Sequence, residues 1–317
     1  MPPRKTSSVT SSGSITPAIL KVAPNVKRYS DISNKPSILS VGKYGVMFSS
    51  VKQRHDQEDY CPDDDLEKWL LQHTEKDLAL TLEHPTHISQ RGGHYHIIFH
   101  TKQMYEDYIN AWRTSLEKNQ TMFVEELRTK HVFRLYLDID IKLTNEEPFD
   151  IVKQGWLDSI LKFTKEYFPK CNTSLALTQC HGKWEDAVVS SAKFKSGYRL
   201  YFHEILVDYD KYCDYTHQLY YKLQDELGGK YDYQPEDWTF DQVIDLKTCN
   251  HPRCRLFGSS KWRRSNILPR VYEFYGFFKD YGKGGVAQYD EKLSKQMRDN
   301  VNLILKWTGV RVEDPFD

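Results

Sequence analysis

The segment Phe133-Arg134-Leu135-Tyr136-Leu137-Asp138-Ile139-Asp140-Ile141-Lys142 alternates apolar and polar residues along its length. A period of two is that of a β-strand, so Leu135, Leu137, Ile139 and Ile141 form one face, which must be buried. Arg134, Tyr136, Asp138, Asp140 and Lys142 form the other. Asp138 and Asp140 therefore point the same way, with ~7 Å between their Cα atoms. Carboxylates held side by side repel each other unless a cation sits between them. A pair of Mg²⁺ or Mn²⁺ ions ~3.5–4 Å apart is the usual solution in phosphoryl transfer. The plainer alternative is a solvent face that happens to carry two aspartates, which the depletion of Asp in strands weakens. Asp-x-Asp pairs also occur in nucleases and glycosyltransferases, so the pair alone does not fix the reaction.

Downstream, Asp245 opens a stretch that becomes one-sidedly basic. From 251 to 270 there are six Lys or Arg residues and no acid. Within it, Arg255-Leu256-Phe257-Gly258-Ser259-Ser260-Lys261 groups backbone N–H donors, two hydroxyls and an ammonium, a combination suited to a triphosphate. A solvated basic loop is the alternative. Asp245 could supply a third metal carboxylate, with Asp241 as the fallback.

Around these stretches, helices and strands interleave without a strict βαβ rhythm, which predicts an α+β fold. Folded sequence is expected to start near Lys43 to Phe48, with strands at His94 to Phe99, Met122 to Val124, Phe133 to Ile141 and Gly197 to Phe202. One helix places Tyr105, Tyr108, Ile109, Trp112 and Leu116 on a single face. A second covers 152–168, with Trp156, Ile160, Phe163 and Tyr167 inward. A third carries Tyr212, Tyr215, Leu219 and Leu223 and stops at Gly228-Gly229. Strands around the basic loop fill 240–280. A last helix near 288–308 spaces Leu293, Met297, Val301 and Ile304 at helical intervals. Residues 1–40 are rich in Ser, Thr and Pro and read as a disordered basic tail, with six cations against Asp31 alone.

Composition sets the limits. The chain has 317 residues, 44 Lys plus Arg and 44 Asp plus Glu, hence no net charge, which argues against binding nucleic acid by bulk charge alone. No run of ~18 apolar residues occurs, so no membrane span is expected. The start, Met1-Pro2-Pro3-Arg4-Lys5, has no apolar stretch of a secretory signal, and six cysteines do not make a disulfide scaffold, so reduced, intracellular thiols are expected. No Gly-x-x-x-x-Gly-Lys-Ser/Thr motif occurs, so no helicase motor is expected in this chain. Zinc is the lesser expectation: Cys249, His251 and Cys254, with Cys180 and His181, have no standard spacing. His94, His96 and His100 are expected on one strand face as surface or groove histidines.

Taken in order, Leu135 to Asp140, Lys195-Ser196-Gly197-Tyr198-Arg199-Leu200-Tyr201-Phe202, and Asp245 followed by Arg255 to Lys261 resemble the three motifs of archaeo-eukaryotic primases. The similarity is greatest to the primase-polymerase branch and to the primase domains of primase–helicases in large DNA viruses, which makes such a virus the first expectation for the source. It runs over about 90–275. It implies a two-module fold with an RRM-like catalytic sheet. The catalytic domain would span 41–280, with motifs at 134–142, 195–202 and 245–261, and 281–317 would pack outside it as a helix.

The resemblance implies a DNA primase or primase-polymerase that transfers nucleotides to a 3′-hydroxyl on a template, with pyrophosphate release. Its partners would be a single-stranded DNA template, nucleoside triphosphates and a replicative helicase in cis or in trans. Asp138, Asp140 and Asp245 would ligate two Mg²⁺ or Mn²⁺ ions and carry catalysis. Lys195, Arg199, Arg255, Ser259, Ser260 and Lys261 would hold the triphosphate. The family's second motif has Ser-x-His, whereas this chain has Gly197-Tyr198-Arg199, so a guanidinium would replace the imidazole as donor. His203 lies ~13 Å further along the same strand face, too far to substitute easily. Trp262 and Tyr201 are candidates to stack a templating base, or else core residues. A catalytically inactive single-stranded nucleic-acid binding module and a metal-dependent nuclease are the competing readings.

Overall fold

The computed structural model describes residues 62–76, 81, 84–128, 132–183, 191–228, 230–244, 253–260, 271–282 and 285–311. The expected tail at 1–40, the start of folded sequence expected near Lys43 to Phe48, and Asp245, Cys249, His251, Lys261 and Trp262 lie outside them. The order is α1 (Asp65–His73), β1 (His87–Ser89), β2 (His94–Tyr95), α2 (Lys102–Glu117), β3 (Val124–Leu127), β4 (Phe133–Leu143), α3 (Trp156–Tyr167), β5 (Leu175–Lys183), β6 (Phe194–Val207), α4 (Tyr209–Glu226), a 3₁₀ turn (Phe240–Gln242), β7 (Arg253–Arg255), β8 (Glu273–Phe278), α5 (Glu291–Asp299) and α6 (Val301–Thr308). Helices and antiparallel sheets are mixed, as an α+β chain requires.

The strands form two four-stranded sheets, β2-β1-β3-β7 and β4-β6-β5-β8. In the second, β4, α3, β5, β6, α4 and β8 follow one another as β-α-β-β-α-β, with β6 between β4 and β5 and with β8 antiparallel to β5. The apolar face anticipated for β4 is buried: Leu135, Leu137, Ile139 and Ile141 are at most 1% exposed. Helices α3 and α4 pack on each other through Phe163 and Tyr215, whose hydroxyl meets Thr164 Oγ1 at 2.7 Å. Capping explains the helix starts: Thr101 Oγ1 accepts from Met104 N at 3.1 Å, and Asp208 Oδ1 from Lys211 N at 2.7 Å. Gly155, at φ 74°, starts α3 four residues later than the apolar spacing indicates.

Three other elements differ from their sequence reading. The strand expected over His94 to Phe99 pairs only at His94–Tyr95, because the N–H groups of His96 and Ile97 donate to the hydroxyls of Thr74 and Thr86 instead of to a strand. The strand expected at Met122 to Val124 begins at Val124, and Met122 makes an isolated bridge to Ser259. The terminal helix is two helices, interrupted at Asn300 (φ −133°, ψ 89°). Its second half, α6, does not lie outside the sheets. Trp307 packs edge-on against Phe277 of β8 at 4.7 Å and on His203 of β6 at 4.8 Å. On the other side α6 contacts α2, where Lys306 Nζ meets Glu106 Oε1 at 2.9 Å. Just beyond α6, Val310 N donates to the buried Glu126 of β3 at 2.8 Å, and Val310 O accepts from Arg134 N of β4 at 2.9 Å. The C-terminal segment thus ties both sheets together.

Candidate active site

The polar face of β4 meets its neighbour strand in a register that sets charge against charge. Asp138 lies opposite Arg199, Asp140 opposite Gly197, and Lys142 opposite Lys195. Arg199 donates to Asp138 Oδ2 through Nε at 3.2 Å and Nη2 at 3.0 Å. Lys195 Nζ reaches diagonally to Asp140 Oδ2 at 2.5 Å. The third nitrogen of the guanidinium, Nη1, donates to the carbonyl of Arg255 at 2.8 Å. Since Arg255 is in β7, Arg199 joins the two sheets, and the site lies where they meet. Its side chain is only 4% exposed.

Tyr272, just before β8, completes the arrangement. Its hydroxyl donates to Asp138 Oδ1 at 3.0 Å, so both oxygens of that carboxylate are held. Its ring carries two guanidiniums, Arg199 at 4.3 Å and Arg255 at 5.4 Å from the centroid. The Arg255 guanidinium makes no hydrogen bond or ion pair with the described residues, so a cation is in place beside the carboxylates without a carboxylate of its own. Burial alone would raise the Asp138 carboxyl, but Arg199, Arg255 and Lys195 together hold it below the usual carboxylate value. Burial pushes the Tyr272 phenol well up, which keeps it a neutral donor.

Asp140 is held on one side only. Its Oδ1 is buried and has no hydrogen-bond partner among the described residues. Gly197 leaves that oxygen room: a Cβ there would lie 3.4 Å from it and 3.1 Å from the carbonyl of Cys180. An unpaired buried carboxylate oxygen next to a second carboxylate is a donor set for a hard divalent ion. Among the described residues no three His, Cys, Asp or Glu side chains gather at one point, so the pair would need a ligand from elsewhere. The chain just before Asp245 is anchored beside them, since Ile244 bridges to Ile139 and Val243 O accepts from Asp140 N at 2.8 Å.

The basic loop departs from its expected use of backbone donors. Ser259 N donates to Leu256 O at 2.9 Å and Ser260 N to Met122 O at 2.8 Å, so neither amide is available to a phosphate. The hydroxyls of both serines are buried and unpartnered among the described residues. Gly258, at φ 78°, is pressed against Leu116, where any Cβ would collide. Trp112 Nε1 fixes the loop further by donating to Phe257 O at 2.9 Å.

Several secondary candidates resolve differently. Tyr201 is 2% exposed and belongs to the core, so it does not stack a base. Cys254 is buried against Arg199, which donates to its sulfur at 3.7 Å, and burial pushes its thiol up to about 11. His181 pairs with Gln179 at 3.2 Å, and His94, His96 and His100 do not converge. His203 packs against Trp307, with the two rings tilted by 33°. Tyr272 was not singled out by sequence reasoning; the only signal was an aromatic cluster, Tyr272 to Phe278, after the basic loop.

Paired carboxylates flanked by three cations thus lie where two antiparallel sheets meet. Over residues 62–223, just over half its length, the chain matches the family model described as Prim-pol 4, and it belongs to that family of primase-polymerase domains. The matched stretch contains Asp138, Asp140, Lys195 and Arg199 and ends before the basic loop. No curated protein matches the chain.

Proposed function

We propose that this chain is a DNA primase or primase-polymerase, transferring nucleotides from nucleoside triphosphates to a 3′-hydroxyl on a single-stranded DNA template with release of pyrophosphate. The observation that carries the reading is the Asp138–Asp140 pair, with one buried oxygen unpartnered among the described residues, set beside Arg199, Lys195 and Arg255. Asp138, Asp140 and Asp245 would hold Mg²⁺ or Mn²⁺. Such ions, when bound, lower the pKa of the attacking hydroxyl and neutralise the departing pyrophosphate. Arg255, Arg199, Lys195 and Lys261 bind the phosphate oxygens, and the Ser259 and Ser260 hydroxyls donate to them. Tyr272 orients Asp138 and carries the two arginines. The β4-β6-β5-β8 sheet is the RRM-like catalytic module and β2-β1-β3-β7 the second, with the template running between them. No helix among the described residues is long and apolar enough to cross a membrane. A replicative helicase, in cis or in trans, would supply the unwound template.

A nucleic-acid binding module without catalysis is the second reading, favoured by one observation: both carboxylates already have organic cations as partners. Incubation with single-stranded template, labelled nucleotides and Mn²⁺ or Mg²⁺ separates the readings. Dinucleotide synthesis or primer extension supports nucleotidyl transfer. Binding without product supports the inactive module. Strand shortening without nucleotides points to a nuclease.

A further inference from the structure

We infer that Arg199 and Lys195 act as an internal lock on the metal-binding carboxylates, which nucleoside triphosphate opens, so that nucleotide and divalent ion bind cooperatively. This rests on the nucleotidyl-transfer reading and names how that site is regulated.

The lock is visible as geometry. Asp138 Oδ2 accepts two donors of Arg199 and Asp140 Oδ2 accepts Lys195, at 3.2, 3.0 and 2.5 Å. Both carboxylates are therefore neutralised before any metal arrives. A divalent ion approaching them meets two fixed cations a few ångströms away, and in a half-buried site that repulsion is poorly screened. A triphosphate brings several negative charges to the same cations. It would draw the Lys195 and Arg199 head groups off the carboxylates and expose oxygens for the ion. Arg199 need not leave the site, because Nη1 is anchored on the Arg255 carbonyl and its plane on the Tyr272 ring. Lys195, on a flexible stem and 17% exposed, is the easier to swing. Linkage then demands that metal strengthen triphosphate binding by the same factor.

Direct contact between a metal and phosphate oxygens would also couple the two ligands, so coupling alone does not establish the lock. The distinguishing measurement is Mn²⁺ binding without nucleotide, followed by the loss of the free-ion electron paramagnetic resonance signal, in wild type, Lys195→Gln and Arg199→Gln. It is repeated with a non-hydrolysable triphosphate analogue. The lock predicts that each variant binds Mn²⁺ alone more tightly than wild type, by about tenfold, and that the analogue strengthens Mn²⁺ binding less in the variants than in wild type. Should Arg199→Gln fail to fold, as judged by circular dichroism, Lys195→Gln carries the comparison alone. Variants that bind Mn²⁺ no more tightly than wild type overturn the lock, while Mn²⁺ binding by wild type with the analogue leaves the nucleotidyl-transfer reading standing. Absence of Mn²⁺ binding in every protein, with and without the analogue, overturns both.

Discussion

Arg199 holds Asp138 through two nitrogens, at 3.2 and 3.0 Å, while its third nitrogen donates to the Arg255 carbonyl in the other sheet at 2.8 Å. One side chain thus positions a carboxylate of the proposed metal centre and fastens the two sheets. Replacing it has two costs. Arg199→Ala leaves Asp138 buried without its principal counter-ion, which is expected to destabilise the fold by about 3–5 kcal/mol. Denaturant unfolding of Arg199→Ala, Asp138→Asn and the double variant measures this. The double variant should lose clearly less than the sum of the two, since the pair is removed together.

Tyr272→Phe removes the donor to Asp138 Oδ1 and keeps the ring beneath Arg199. A hydrogen bond to a charged acceptor of this kind contributes about 2 kcal/mol. Thermal unfolding should show a loss of that order, and nucleotide incorporation should fall with it. Tyr272→Leu removes both contacts and should be worse on both measures. Equal behaviour of the two variants would rule out a role for the ring.

Gly197→Ala tests the space beside Asp140. Its Cβ would lie 3.1 Å from Cys180 O, so the β5 backbone must give by a few tenths of an ångström, and 3.4 Å from Asp140 Oδ1, an ordinary contact that fills the space beside that oxygen. Stability should fall by about 1 kcal/mol. Nucleotide incorporation should fall roughly tenfold or more, because small displacements of reacting groups are costly in rate. A variant with unchanged incorporation would show that the oxygen has room to spare.

His203 gives the acid side of the stability profile. Burial, and then the nearby Arg134 charge, lower its imidazole from 6.5 to about 3. Between those values the unfolded chain takes up a proton that the folded one refuses, so stability falls as pH drops below 6.5. The loss between pH 7 and pH 5 is at most roughly 2 kcal/mol. Asp138 adds to it at lower pH with the same sign: its folded carboxyl lies below 3.8, so the stability it contributes is present above 3.8 and is lost as pH falls through the folded value. Unfolding midpoints from pH 7 to pH 4 should fall less steeply in His203→Phe than in wild type.

Alternation made β4 legible in the sequence, and with it the shared direction of Asp138 and Asp140. The covering of that polar face was not legible. Tyr136 and Lys142 are 1% and 6% exposed although they stand on the side that alternation assigns to solvent. Contacts far apart in sequence cover them: Tyr212 of α4 lies 5.7 Å from the Tyr136 ring, and Lys142 Nζ sits 3.9 Å over the Trp238 ring. Asp138 and Arg199 each stood out as single residues, but their partnership depends on the β4–β6 register, which neither strand encodes by itself. Tyr272 was invisible because its role comes from three neighbours on three other strands, Asp138, Arg199 and Arg255. The break at Asn300 was hidden by helical spacing that continues across it.

If Asp138 and Asp140 form the metal-binding centre of a template-dependent nucleotidyltransferase, neither carboxylate can be dispensed with. Incorporation of labelled nucleotide on a single-stranded DNA template in the presence of Mn²⁺ tests it most directly, comparing wild type with Asp138→Asn and Asp140→Asn, each shown to be folded by circular dichroism. Wild type should give labelled dinucleotide or extended primer, and either variant none above background. Product formed equally well by the variants, or none from wild type, would contradict it.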